Sequence, residues 1–331
     1  MDFKNLFDQF IGKRILVIGD VMIDSYLRGK VNRVSPEAPV PIVSLDLEED
    51  RLGGAANVAV NLIAMGALPI ICSVVGNDKQ GEILKSLLVE AGISDQGLVY
   101  SADRKTTVKT RVIGNNQQLL RIDSEQTNPI SQLEEKDLIE LVKVLINSGV
   151  EGVVFEDYNK GVLTPTLIQN VISLANEKGI VSTVDPKKEN FLAYKNVTLF
   201  KPNLKELKEG LGLDFSFVHS KDKFEEAVVQ LEKELNNKIS FVTLSEHGVF
   251  IKEGQTQEYF AAHLRNIADV SGAGDTVISI ATLCLIAGVP IKLIAEISNI
   301  AGGLVCEESG VVSINKEQLL EEVEELLGKE R

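Results

Sequence analysis

RILVIGD, residues 14–20, is a short apolar run that stops at a glycine and an aspartate. A run without polar alternation presents nothing to water, so it reads as a strand buried on both faces. The same kind of run returns in LPIICSVVG (68–76), VEGVVFED (150–157), GIVSTVD (179–185), VTLFKPN (197–203) and ISFVTLS (239–245). Between these runs the patterning predicts helices in AANVAVNLIAMGA (55–67), GEILKSLLVEAG (81–92), EEKDLIELVKVLINSG (134–149), TPTLIQNVISLANEKG (164–179) and KFEEAVVQLEKELNN (223–237). Strands alternating with helices predict an α/β fold: a mostly parallel sheet with helices on both faces. Such sheets take their ligands beyond the carboxyl ends of the strands.

Two stretches interrupt the alternation. PVPIVSLDL (39–47) and TTVKTRVIGNNQQLLRID (106–123) carry alternating or β-branched runs, the second divided by a GNN turn. They predict a small antiparallel β lid, drawn from roughly 26–50 and 104–124, on the rim of a single domain spanning 1–331. A lid keeps water from reacting groups, and exposed sheet edges can pair between subunits.

The 331 residues are 44% apolar and 25% charged, enough for a substantial core, and the net charge is −14. Acidic residues are spread along the chain, which argues against a nucleic-acid partner, since phosphate backbones demand clustered Lys and Arg. Cys72, Cys284 and Cys306 stand far apart with no metal-ligand spacing, which implies unpaired thiols in a reducing compartment. The opening MDFKNLFDQFIGKR lacks the basic-then-apolar order of a secretory leader. The longest apolar stretch, Val277 to Ile291, is interrupted by Ser279, Thr282, Gly288 and Pro290, so no membrane partner is expected. The expected location is the cytoplasm.

DVSGAGDT (269–276) sets two glycines and an alanine before Asp275, with an apolar helical run after it. The free N–H groups of a helix start favour negative charge, which either an anionic ligand or a capping aspartate would satisfy. The third glycine of a dinucleotide motif is replaced by Val277, and none of the Gly-Lys pairs is followed by Ser or Thr as in a Walker A loop. His219, His247 and His263 are scattered, and no Gly-x-Ser-x-Gly elbow occurs. A glycine turn with several carboxylates suits phosphoryl transfer, which needs positioning, charge stabilisation and a base.

GGAANVAVNLIAMGA (53–67), KPNLKEL (201–207), TLSEHG (243–248) and DVSGAGDT occur in the order found in the ribokinase-like, PfkB-type sugar kinases. The chain resembles that family from Arg14 to about Ile314. VIGDVMIDSYLRGKVNRVSPEAPVPIV, NNQQLLRID, EDYNKGVL and VDPKK are similar to the family members that act on D-glycero-D-manno-heptose 7-phosphate. Many of those are fused to a C-terminal nucleotidyltransferase. With Arg331 last and no His-x-Gly-His element, the expectation is the kinase alone.

The resemblance implies a ribokinase-like fold that uses ATP and Mg²⁺ to phosphorylate the anomeric hydroxyl, yielding the 1,7-bisphosphate for lipopolysaccharide heptose precursors. It further implies a homodimer through the lid strands, and leaves a monovalent cation open. The rival readings are a kinase of another sugar or sugar phosphate, and a non-catalytic nucleotide-binding regulatory protein.

The resemblance also assigns residues. Asp275 would be the base, and the N–H groups of Gly272, Ala273 and Gly274 the anion hole; position at a helix start, more than a raised pKa, would make Asp275 effective. The family usually has threonine where Val270 and Ser271 stand. Asn203 and Glu206 would hold magnesium and phosphates through water, although their spacing equally fits a capping box. Lys187 would contact phosphate, while Thr243, Ser245, Gly248 and Asn299 would shape the nucleotide pocket. Asp24, Gly53, Gly54 and Asn57 would bind the sugar. Asp20 is either a second binder or a turn cap. Lys109, Arg111, Arg121 and Lys160 are the cations available for the sugar phosphate, or charges that protect lid edges.

Overall fold

The computed structural model describes residues 2–263 and 265–328, so Met1, Leu264 and the last three positions of the expected 1–331 domain lie outside the described residues. In chain order the first elements are α1 (Phe3–Asp8), β1 (Arg14–Gly19), β2 (Val21–Val34), β3 (Pro41–Gly54), α2 (Ala55–Ala64), β4 (Leu68–Gly76), α3 (Lys79–Glu90) and β5 (Ser94–Ser101). Next come β6 (Val108–Gly114), β7 (Gln117–Ser124), α4 (Gln132–Asn147), β8 (Gly152–Glu156), α5 (Pro165–Lys178), β9 (Val181–Asp185), β10 (Leu199–Phe200) and α6 (Leu204–Leu211). The chain continues with α7 (Lys221–Leu235), β11 (Ile239–Thr243), β12 (Val249–Glu253), β13 (Thr256–Phe260), α8 (Ala273–Ile286), α9 (Ile291–Val305) and α10 (Lys316–Leu327).

The main sheet has the order β13-β12-β11-β10-β9-β8-β1-β4-β5, parallel from β11 to β5. β12 and β13 add an antiparallel edge that the sequence pattern did not single out. The apolar runs are continuous because the sheet is covered twice. In β1, Ile15 and Val17 join the core beneath α2, α8 and α9, whereas Leu16 and Ile18 join the one beneath α4, α5 and α7. Two-residue periodicity sends alternate side chains to opposite faces, so both sets are apolar. β1 lies between β4 and β8, where the strand order reverses, and the crevice at such a switch point is where open α/β sheets hold ligands.

The lid is a second sheet of order β3-β2-β6-β7. Its two hairpins, β2/β3 and β6/β7, are antiparallel as expected, and they meet along a parallel β2/β6 seam. The GNN turn closes the second hairpin with Asn115 and Asn116 both at positive φ, 51° and 63°, the requirement of a two-residue turn matched to strand twist. Register pairs Asp24 with Lys109, Tyr26 with Arg111, and Arg111 with Arg121, which puts these side chains on one face of the lid. Only one residue, Asp20, separates β1 from β2, and β3 runs directly into α2.

The three cysteines are free and buried, with burial pushing the thiols of Cys72 and Cys284 up to about 12. Among the described residues no helix is long and apolar enough to cross a membrane.

Candidate active site

The GAGD turn starts α8, and its N-cap is Gly272 at φ 83°, a backbone conformation natural to glycine. A Cβ there would stand 3.0 Å from the Asn57 side-chain nitrogen, so the site also needs the space. Asp275 therefore lies within the first turn and does not cap the helix. Its carboxylate is buried, with Oδ2 accepting from Asn57 Nδ2 at 2.6 Å and Oδ1 accepting from the Tyr158 hydroxyl at 3.0 Å. α2 brings Asn57 to this place. One turn later its Asn61 accepts from the Thr276 hydroxyl and the Ile314 N–H, both at 3.0 Å, which ties α2 to α8.

The expectation weights the position of Asp275 at a helix start above a raised pKa, and its depth in the structure raises that pKa as well. Burial, reinforced by the nearby negative charge of Asp185, pushes it up to about 6; hydrogen bonds from Asn57 and Tyr158 and the charge of Lys201 pull the other way. A helix N-terminus does not offset that much desolvation.

Glu156 and Asp185 are partners in the β8/β9 register, at the carboxyl ends of adjacent strands. With Asp275 they form a buried group of three acids whose oxygens lie within 4.8 Å of one another. Lys201 Nζ meets Asp185 Oδ2 at 2.7 Å, and both side chains are almost wholly enclosed. Glu156 Oε2 is buried without a hydrogen-bond partner, and burial, then the charges of Asp185 and Asp275, push this carboxyl well above its ordinary value. None of Glu156, Asp185, Lys201 and Tyr158 was singled out from sequence as a site residue. The available signal was an acid at the end of both apolar runs, VFED and STVD, but adjacency of the two strands is not a local property.

A cavity of about 200 Å³ opens beside Asp275, lined by Asp24, Gly53, Gly54, Asn57, Lys109 and Arg111, and by Tyr158, Ser271 and Gly272. Arg111 Nη1 donates to Asp24 Oδ1 at 2.5 Å, and a Cβ on Gly53 would collide with the Asp24 carboxylate. The Lys109 ammonium lies 5.6 Å from the centre of the Tyr158 ring, and burial, then the charge of Lys160, lowers its pKa.

Three expected sugar-side residues are elsewhere. Arg121, on the exposed edge strand, turns back to Asp123 with bonds of 2.9 and 3.0 Å, because a carboxylate two residues away on the same face is its nearest counter-charge. Lys160 pairs with Glu125 at 2.7 Å in a separate crevice beside Arg104. Asp20 accepts from the backbone N–H groups of Tyr158, Lys160 and Val162, each at 3.0 Å, so its carboxylate pins the loop after β8 in place of binding sugar.

On the other side of α8, Asn203 and Glu206 form a reciprocal capping box at the start of α6, both bonds 2.9 Å. The remaining Glu206 oxygen accepts from Lys187 at 2.5 Å. These residues bond one another and Lys187 directly, and among the described residues the acids that converge on one point are Glu156, Asp185 and Asp275. Burial lowers the Lys187 pKa, but Asp185 and Glu206 outweigh it and hold the group above the usual lysine range.

Asn203 and Ser245 share a crevice of about 630 Å³ with Leu204, Lys205 and Lys208, and Thr243 bridges to Asn203 at its base. Gly248 and Asn299 do not line it. Gly248, at φ 86°, closes the turn before β12 where a Cβ would strike the Phe260 carbonyl. Asn299 donates to the Ala261 carbonyl at 2.8 Å and ties α9 to the segment after β13.

A model of the pfkB family of carbohydrate kinases matches residues 13–318. The chain is 39% identical over 310 residues to the bifunctional protein HldE of Methylobacillus flagellatus, covering 94% of this chain and 63% of that protein. It is 40% identical over 322 residues to the bifunctional protein HldE of Sulfurimonas denitrificans, covering 96% and 65%. The chain thus spans less than two thirds of the length of these curated relatives. Among solved structures it resembles phosphofructokinase-2 from Escherichia coli in complex with potassium, with TM-score 0.78, 19% identity, and coverage of 96% of this chain and 99% of that one. Arabidopsis thaliana ribokinase complexed with ribose and ATP gives TM-score 0.70 and 16% identity, covering 94% and 99%. These two likenesses show the ribokinase-like fold, and the family match with the HldE relatives places the sequence within it: the chain belongs to the pfkB family of carbohydrate kinases.

Proposed function

We propose that this kinase transfers the γ-phosphoryl group of ATP to the anomeric hydroxyl of a heptose 7-phosphate. The observation that carries the reading is the buried Asp275 carboxylate beside a cavity whose lid wall holds both Lys109 and Arg111. A base next to a concave wall with two cations suits an alcohol that already bears a phosphate. The HldE relatives support the same substrate class.

In this reading Asp275 accepts the proton of the attacking hydroxyl, and its raised pKa still leaves it mostly ionised at neutral pH. Asp24 and Asn57 bind sugar hydroxyls, since a carboxylate and an amide can each serve neighbouring hydroxyls. Lys109 and Arg111 hold the sugar phosphate. The N–H groups of Gly272, Ala273 and Gly274 stabilise charge on the transferred group. Lys187 reaches the nucleotide phosphates after exchanging its Glu206 contact, and the crevice with Asn203 and Ser245 takes the rest of the nucleotide.

Magnesium fits the unpartnered Glu156 oxygen: Glu156 and Asp185 would hold it, and when bound it neutralises charge on phosphoryl oxygens. A second copy would dock through the lid, whose β3 and β7 expose Leu45, Leu47, Leu120 and Ile122.

The test is ADP release with ATP and Mg²⁺ in the presence of heptose 7-phosphate, the same heptose without phosphate, ribose or fructose 6-phosphate. Release with heptose 7-phosphate alone is the expected result. Release with a different sugar overturns the substrate, and no release with any of them overturns the catalytic reading.

A further inference from the structure

Asp275 is joined to its helix through a side-chain torsion that is broad and two-fold, so an isolated carboxylate can turn its plane freely. Here two donors on different elements hold its two oxygens: Asn57 from α2 takes Oδ2, and the Tyr158 hydroxyl from the loop after β8 takes Oδ1. We propose that Tyr158 is a positioning residue for the base, its hydroxyl fixing the plane of the Asp275 carboxylate so that proton transfer from the sugar needs no reorientation. This rests on the reading of Asp275 as the base.

Tyr158 is itself held at three points. Its backbone N–H donates to Asp20 Oδ2 at 3.0 Å. Its ring has the Lys109 ammonium at 5.6 Å and the Lys187 ammonium at 5.6 Å from its centre, attractive distances for a cation and an aromatic face. The first lysine lines the sugar cavity and the second pairs with Glu206 on the nucleotide side, so the ring spans the two halves of the site. An ordinary phenol titrates at about 10, so at neutral pH the hydroxyl keeps its proton and remains a donor. The Asp20 carboxylate, engaged only with backbone in this loop, thereby supports the base through Tyr158.

The experiment is steady-state kinetics of the full chain with ATP, Mg²⁺ and heptose 7-phosphate, comparing wild type, Tyr158→Phe, Asp275→Asn and the double variant. Phe keeps the ring and its lysine contacts and removes only the hydroxyl. The expected result is a fall in kcat of about tenfold to a hundredfold in Tyr158→Phe, the scale of one hydrogen bond to a charged group. Both KM values stay within about twofold, and the double variant is no slower than Asp275→Asn, because the hydroxyl acts through that carboxylate.

Wild-type kcat in Tyr158→Phe, with Asp275→Asn still impaired, overturns the positioning role and leaves the base assignment standing. A loss that also adds in the Asp275→Asn background, or that comes with raised KM and a lowered melting temperature, marks a structural contribution and overturns it too. Full turnover in Asp275→Asn sinks the base assignment and this inference with it.

Discussion

In the proposed reaction Asp275 is the base, and its environment sets the pH at which it can act. Burial raises its pKa to about 6, so in metal-free protein it is ionised above that pH and protonated below it. Comparing the carboxyl ¹³C resonances of wild type and Asp275→Asn across pH should reveal a group titrating near 6, where an exposed aspartate would titrate near 4. The sign for stability is the opposite of that for activity. A folded pKa above the unfolded one means the stabilising contribution is complete at low pH and lost as pH rises through about 6. Asp275→Asn should thus lose at least about a hundredfold in turnover while melting no lower than wild type at pH 8. The amide can accept from Asn57 and donate to the Tyr158 hydroxyl oxygen, which keeps the local bonding satisfied. On the lid wall, Lys109→Met is the cleaner probe of phosphate recognition, because Arg111 also balances Asp24. It should raise KM for heptose 7-phosphate about tenfold or more and leave KM for ATP unchanged, measured by initial rates.

At the scale of elements, α2 and α8 behave as one unit because Asn61 joins them. Its Oδ1 takes the Thr276 hydroxyl and the Ile314 N–H, and its Nδ2 donates to the Asn57 carbonyl at 2.9 Å. Asn61→Ala would leave a buried N–H unsatisfied, with a loss of about 2–4 kcal/mol, seen as a melting temperature lower by several degrees. The individual elements were largely legible in sequence, since buried parallel strands need unbroken apolar runs and their helices need one apolar face. The glycines were legible too, because Gly53 and Gly272 stand where any side chain would meet Asp24 or Asn57. What stayed hidden depends on which elements become neighbours. Glu156 and Asp185 converge only because β8 lies beside β9, and Arg121 leaves the site only because Asp123 shares its face of an edge strand. The capping box of Asn203 and Glu206 was foreseen as an alternative to metal binding, and it is the bonding these residues adopt.

At the scale of the whole molecule, the exposed apolar side chains of β3 and β7 give the lid a surface suited to a second copy. The proposed lid dimer would run at twice the chain mass of 36.1 kDa, and Leu120→Glu on β7 should bring it down to that mass, read by light scattering after size exclusion. The lid also has a mechanical property. β3 is 14 residues long and passes without a break into α2, where Asn57 is the third residue. Gly53 and Gly54, at the joint between strand and helix, line the same cavity as Asp24, which faces Gly53 across the β2/β3 pair. One unbroken backbone thus carries both a wall of the cavity and the amide that donates to Asp275, so the two are kept in register by covalent connection over a few residues.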